Sequence, residues 1–277
     1  MLNNFYIEEH VKRALQEDIG FGDITTDYLT NETDVMSCRL NSRADGIFCG
    51  KTVFKTVFDI LSKDVEIKFY KEDGDRIFKG DVIAEIKGPA RYILLGERTA
   101  LNYVQRMSGI ATETNKYQSA IGDYPAKIVD TRKTTPLFRA FEKYSVKVGG
   151  GSLHRFNLSD CAMIKDNHIK YAGSLKLAVE KLRNNISHAH KIEVECDTVE
   201  QVEEAISCGV DIIMLDNMNI ETMKRCVKLI NKRAIVEASG NVNLDTINEI
   251  ASTGVDIISS SAIVAKAFTL DLGLDCI

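Results

Sequence analysis

The chain has 277 residues, 44% of them hydrophobic and 27% charged, with a formal net charge of −5. This is the balance of an ordinary globular protein, and its acidic sign excludes a nucleic-acid binder held mainly by phosphate contacts. No apolar run approaches the ~20 residues that span a bilayer, and the mixed acidic and polar start, Met1–His10, does not read as a secretory signal.

In chain order, Ile7, Val11 and Leu15 fall on one face of a helix over 5–18, with Gly20 just past its end. Residues 35–49 alternate weakly, and 50–62 read as a helix through Val53, Val57, Ile60 and Leu61. Val65, Ile67 and Phe69 then alternate as a strand. Asp73-Gly74 and Lys79-Gly80 mark turns, and Val82–Ile86 is a second strand before Gly88-Pro89. The stretch EDGDRIFKGDVIAEIKG is similar to a lipoyl- or biotin-carrier hammerhead, but no lysine stands at an exposed tip with carrier-type neighbours. It reads as a scaffold sheet. A long helix covers about 94–120, with Leu101, Val104, Gln105, Ser108 and Thr112 on one face.

From residue 126 the rhythm changes. Short apolar runs at Lys127–Asp130, Ala162–Lys165, Ile192–Glu195, Ile212–Asp216, Ala234–Glu237 and Ile257–Ser260 alternate with helical stretches such as 174–184 and 198–207. Such a repeat predicts a parallel sheet covered by helices. Glu195, Asp216, Glu237 and Ile258 follow at 21-residue steps. If each step is one βα unit, Lys165, Glu195, Asp216 and Glu237 end their strands and point toward one mouth. Only six or seven such strands fit, so the barrel is expected to be open, or incomplete. The seven cysteines form no CxxC pair and read as reduced thiols of a cytoplasmic protein.

Two segments concentrate positive charge: DTRKTTP at 130–136 and GGGSLHR at 149–155. Arginine forks bind carboxylate or phosphate bidentately, and a glycine run lets backbone amides approach an anion. Arg132, Lys133, His154, Arg155 and Lys165 supply cations; Glu195 and Asp216 supply two acids on neighbouring strands. Gly240 and Ser259–Ser261 follow the last strands, where phosphate sites commonly form. Mg²⁺ takes one or two carboxylates together with substrate phosphates and waters, which Glu195 and Asp216 match. The implied substrate is a phosphorylated sugar with a Mg²⁺-bound leaving group, beside an anionic co-substrate.

Eight segments carry a more specific likeness: ALQEDIGFGDITT (14–26), GERTALNYVQRMSGIAT (96–112), DTRKTTP (130–136), GGGSLHRFNLSD (149–160), IKDNHI (164–169), IEVEC (192–196), IMLDN (213–217) and VEAS (236–239). In this ordered set the chain resembles the quinolinate phosphoribosyltransferases, the decarboxylating nicotinate-nucleotide pyrophosphorylases of NAD synthesis. The resemblance implies an N-terminal α/β sandwich over 1–112, an open parallel α/β barrel over 113–266, and a tail, 267–277, packed on the sandwich. It implies a homodimer or higher assembly, with each barrel closed by the partner's N-terminal domain. It implies transfer of phosphoribosyl from 5-phosphoribosyl 1-pyrophosphate to quinolinate, with release of pyrophosphate and CO₂. By matching motif, Arg132, His154, Arg155 and Lys165 bind the quinolinate carboxylates, and Arg98 reaches the other subunit's site. Lys133 and Lys165 face the pyrophosphate, and Glu195 and Asp216 hold Mg²⁺ and the ribose. Lys133, Lys165, Glu195 and Asp216 form the catalytic set. Ser239, Gly240, Asn241, Ser260 and Ser261 take the 5′-phosphate. His168 braces Lys165.

Three positions depart from the family pattern. Asn241 replaces the second glycine of EASGG, Ser259-Ser260-Ser261 replaces a glycine-containing ISMG, and Leu153 stands where Asn precedes His-Arg. An altered but working phosphate pocket is expected, because Asn tolerates positive φ and serine hydroxyls can donate to phosphate. Two other enzyme readings compete: a paralogue using another acceptor such as nicotinate, and a Schiff-base aldolase barrel using Lys133 or Lys165. A non-catalytic binding protein is a third alternative. The number of cations favours a dicarboxylate acceptor.

Overall fold

The computed structural model describes residues 2–277. The first half of the chain runs α1 (Asn4–Ile19), α2 (Thr26–Leu29), β1 (Val35–Ser42), β2 (Gly46–Ile47), α3 (Lys51–Leu61), β3 (Glu66–Phe69), β4 (Arg76–Ile77), β5 (Val82–Pro89), α4 (Ala90–Ile121), β6 (Lys127–Val129) and α5 (Arg139–Val148). It continues β7 (Ala162–Ile164), α6 (Asp166–Ala172), α7 (Leu175–Arg183), β8 (Ile192–Cys196), α8 (Val199–Ser207), β9 (Ile212–Asp216), α9 (Ile220–Ile230), β10 (Ile235–Ser239), α10 (Ile247–Ser252), β11 (Ile257–Ser259), α11 (Ala262–Ala265) and β12 (Leu272–Cys276). Two compact units result. Unit 1 holds the residues up to Asn115, Pro136–Gly150 and Ala267–Ile277; unit 2 holds Lys116–Thr135 and Gly151–Lys266.

Unit 1 is built on an antiparallel sheet of order β12-β1-β5-β3. The predicted stripe of α1, Ile7, Val11 and Leu15, is buried, and Val53, Phe54, Val57 and Phe58 of α3 join the same core with Leu40, Ile83 and Ile86 of the sheet. The Asp73-Gly74 turn does more than reverse the chain. Asp73 Oδ1 accepts the amides of Gly50 (2.8 Å) and Lys51 (2.9 Å), satisfying the start of α3. Residues 136–150 were expected in the barrel and belong instead to unit 1. Phe138 and Phe141 stack at 4.9 Å and pack on His10 and Tyr103, an aromatic cluster that the short apolar pattern of this segment does not announce.

The C-terminal strand β12 docks on β1, and its approach requires a glycine in α4. A Cβ on Gly109 would lie 1.8 Å from the carbonyl oxygen of Phe268, and backbone cannot retreat as a side chain can. Next to it, Leu270 donates its amide to Gln105 O (3.0 Å) and Gln105 Nε2 donates to Leu272 O (2.7 Å). Gly109→Ala is therefore expected to lower stability by at least ~1–3 kcal/mol, the usual cost of overpacking. Thermal denaturation checks this, and an unchanged midpoint would refute it.

Unit 2 contains a six-stranded sheet of order β6-β11-β10-β9-β8-β7, parallel throughout. Helices connect β7 through β11, as parallel crossovers require. The first strand of the repeat, β6, pairs with the last, β11, while β6 and β7 form the two edges. This is an open α/β barrel with the number of strands that the sequence allows.

Alternate side chains divide the strands into two faces. Val194, Cys196, Ile213, Leu215, Val236, Ala238 and Ile258 are fully buried, whereas Met163, Lys165, Glu195, Met214, Asp216, Ser239 and Ser259 line a common cavity. The runs that read as apolar thus carry a polar, cavity-lining residue at or beside the C-terminal end of each of these strands, in Lys165, Glu195, Asp216, Ser239 and Ser259.

Candidate active site

The cavity measures about 720 Å³ and lies wholly within unit 2. Both edge strands contribute, through Arg132 and Lys133 after β6 and Met163 and Lys165 on or after β7, so the sheet curls enough to enclose it. Of the residues expected from sequence, Arg132, Lys133, His154, Arg155, Lys165, Glu195, Asp216, Ser239, Gly240, Asn241, Ser260 and Ser261 all line it. Arg98 does not; it is exposed on α4 in unit 1. Leu153 is also outside the lining and is 47% exposed.

The cations are held in defined attitudes. Arg155 donates from Nη1 to Cys161 O (2.9 Å) and from Nη2 to Met163 Sδ (3.4 Å), which orients its fork. Lys165 Nζ pairs with Glu195 across neighbouring strands β7 and β8. His168 Nδ1 accepts the Lys165 amide at 3.0 Å, so His168 braces the backbone of Lys165, the role expected of it.

The acids Glu195 and Asp216 sit at or beside the ends of the adjacent strands β8 and β9. Asp216 accepts from Asn217 Nδ2 at 2.7 Å. Asn217 was not singled out in the sequence, although it lies in the IMLDN segment. It adopts φ 52°, its amide donates to Ser239 O (2.9 Å), and its Oδ1 accepts from Asn241 Nδ2 (3.3 Å). Gly240, at φ 91°, passes so close that a Cβ there would meet Asn217 Oδ1 at 2.1 Å. Asn241 takes φ 52°, the left-handed conformation that Asn adopts more easily than most residues. Ser259 Oγ is buried without a hydrogen-bond partner, and Ser260 Oγ accepts the amide of Ala262 at 3.2 Å. Lys266 also lines the cavity and was missed, because nothing in the local pattern of α11 marks it.

Two expectations need correction, those for Glu237 and for Gly149–Gly151. Glu237 does not end its strand or face the mouth; it is 2% exposed and lies two residues inside β10, whose last residue is Ser239. The register sets the end of the strand, since Ser239 is level with Asp216, the last residue of β9, and Glu237 is level with Met214, two residues earlier. The run Gly149–Gly151 was expected beside the anion site, and none of the three lines the cavity. Gly149 packs on α4, where a Cβ would lie 2.3 Å from Ala111 O. His154 does reach the cavity, but its ring is engaged within the chain. Nε2 lies 3.4 Å from Glu193 and 3.5 Å from Glu237, and Nδ1 accepts the Arg155 amide at 2.7 Å. Burial opposes charge on this imidazole, but the two carboxylates outweigh it and lift its pKa to about 10. Burial raises Glu193, with Glu237 beside it acting in the same direction and His154 acting against both. Because Nδ1 accepts the Arg155 amide, the ring carries its proton on Nε2, toward the two acids.

Comparison with known proteins bears on what this cavity serves. The family model "Quinolinate phosphoribosyl transferase, N-terminal domain" matches residues 23–108, and that of the C-terminal domain of the same family matches 110–275. A protein of Bacillus subtilis named probable nicotinate-nucleotide pyrophosphorylase [carboxylating] is 41% identical over 276 residues, covering 99% of this chain and 94% of its own. A Synechocystis protein of the same name is 43% identical over 274 residues, covering 98% and 92%. The crystal structure of NadC from Streptococcus pyogenes superposes with a TM-score of 0.96 at 40% identity, covering 100% of this chain and 99% of that one. Both domains, their order and the whole length agree, and the chain belongs to the quinolinate phosphoribosyl transferase family.

Proposed function

We propose that this protein transfers the phosphoribosyl group of 5-phosphoribosyl 1-pyrophosphate to quinolinate and decarboxylates the adduct, giving nicotinate mononucleotide, pyrophosphate and CO₂ in de novo NAD synthesis. The observation that carries this reading is a single cavity lined by Arg132, Lys133, Arg155 and Lys165, the acids Glu195 and Asp216, and the Ser239–Asn241 and Ser259–Ser261 loops.

Arg132, Arg155 and Lys165 face the two quinolinate carboxylates, with His154 fixing the backbone that carries Arg155. Lys133 and Lys165 neutralise the departing pyrophosphate. The unpartnered Ser259 hydroxyl and the Ser260–Ser261 and Gly240–Asn241 backbone receive the 5′-phosphate. Glu195 and Asp216 present hard carboxylate oxygens on adjacent strands, a donor set suited to Mg²⁺ that also carries substrate oxygens. A bound Mg²⁺ supplies charge neutralisation on the leaving group. The ring nitrogen attacks C1 as pyrophosphate leaves, so the protein has to align the two reactants and stabilise charge, and no protein nucleophile is needed. The quaternised ring nitrogen then accepts the electrons released with CO₂. A Schiff-base reading is disfavoured by Lys165, whose amine is tied to Glu195.

Incubation with quinolinate, 5-phosphoribosyl 1-pyrophosphate and Mg²⁺ should consume quinolinate and release CO₂ in equal amounts. Turnover of nicotinate and none of quinolinate would favour the paralogue instead. Asp216→Asn is expected to abolish metal-dependent turnover while leaving quinolinate binding intact. Full activity in excess chelator would sink the metal assignment.

For assembly, the reading is a homodimer or higher in which Arg98 completes the partner's cavity. Its support is the exposure of Arg98 together with Phe21, Ile24, Tyr28 and Leu29, large apolar side chains of unit 1 left at the surface. For location, the reading is the cytoplasm, supported by seven cysteines present as free thiols. Among the described residues, no helix is long and apolar enough to cross a membrane.

A further inference from the structure

Two of the thiols stand apart from the site just described. Cys38 lies on β1 and Cys276 on β12, directly opposite each other in the antiparallel ladder, with their sulfurs 3.8 Å apart. The register decides whether they can be joined. The Ile277 amide donates to Ser37 O (3.0 Å) and the Arg43 amide to Asp271 O (2.9 Å), so Ser37–Ile277 and Arg43–Asp271 are hydrogen-bonded pairs. Such pairs alternate with non-hydrogen-bonded ones, and Cys38–Cys276 is one step from Ser37–Ile277. It is therefore of the close, non-hydrogen-bonded kind, with Cα atoms near 4.5 Å. That separation lies inside the 4.4–6.8 Å window of a disulfide. Rotation about the two side chains has only to bring the sulfurs to about 2.05 Å.

The pair is also asymmetric. Cys276 is exposed and Cys38 is buried. Burial, and then the neighbouring Cys276 sulfur, push the Cys38 thiol up to about 12. An oxidant in solution meets Cys276 first.

We propose that Cys38 and Cys276 form a reversible disulfide that staples the C-terminal strand to the sheet of unit 1 when the surrounding thiol pool is oxidised. With a low-molecular-weight disulfide as oxidant, the Cys276 thiolate attacks one of its sulfurs and releases the first small thiol. The Cys38 thiolate then attacks Cys276 Sγ in the mixed disulfide and releases the second. The protein pair loses two protons and two electrons, which the oxidant takes up to become two thiols. The link closes a loop that includes most of the chain, so it constrains the unfolded state strongly. It secures β12, an edge strand of that sheet.

The test is incubation of the full-length protein with oxidised glutathione, followed by acid quenching, thiol counting under denaturing conditions, intact mass and peptide mapping. The expected result is two fewer titratable thiols, a mass lower by two hydrogens, a Cys38–Cys276 cross-linked peptide, and a thermal midpoint raised by several degrees that falls again on reduction. Cys276→Ser should give no intramolecular link under the same treatment. Glutathione retained on Cys276, loss of a different thiol pair, all seven thiols retained, or a midpoint unchanged by a formed link would each overturn the proposal.

Discussion

Arg155→Ala is expected to weaken quinolinate binding by roughly 30-fold to several thousand-fold, and Arg132→Ala by a similar factor. The range corresponds to the ~2–5 kcal/mol lost when one partner of a desolvated charge pair is truncated. For Arg155 the physical case is the most complete. Its guanidinium is oriented by Cys161 O and Met163 Sδ, its backbone by the His154 ring, and it opens on the cavity. The fork is thus set before the ligand arrives, and little rotamer entropy remains to be lost on binding. Arg155→Lys should recover only part of the affinity, because an ammonium cannot match a carboxylate bidentately. Titration calorimetry with quinolinate alone measures this without the phosphoribosyl donor. Wild-type affinity in either alanine variant would remove that arginine from the site.

The second large effect concerns a residue absent from the cavity. Arg98→Ala and Lys133→Ala should each be nearly inactive alone, yet a mixture should regain activity. Arg98 is exposed on α4 in unit 1, while Lys133 lines the cavity of unit 2. If Arg98 serves the neighbouring subunit, a mixed dimer holds one cavity with both residues intact and one with neither. At equal mixing half the dimers are mixed, so about a quarter of all cavities recover. Exchange must be verified with labelled chains. Confirmed exchange without recovery would mean that Arg98 acts in its own chain or not at all.

Much of this protein was readable before any coordinates. The helix stripe Ile7, Val11, Leu15 and the long helix through Leu101 and Val104 follow from a period of 3.6, and the six strands of the repeat from short apolar runs alternating with helical stretches. The cavity residues in DTRK, HR, IK, VE and LD were legible because polar residues closing apolar strands of a parallel repeat collect at one end, whereas Ser239 was reached only through the family resemblance.

Other features were decided only by the tertiary structure. Spacing of 21 residues counts loop, helix and strand together and is blind to stagger between strands. Ser239, rather than Glu237, is therefore level with Asp216, and Glu237 is buried beside Glu193 against one imidazole. A glycine run has the same appearance whether it approaches an anion or another backbone, and Gly149 does the latter. The aromatic cluster that draws residues 136–150 into unit 1 joins α1, α4 and α5, and the Cys38–Cys276 pair joins residues at opposite ends of the chain. Local propensity acts over a few residues and so writes helices and strands into the sequence. Register, burial of charge and long-range contact depend on what the rest of the chain places alongside, and only the folded structure specifies them.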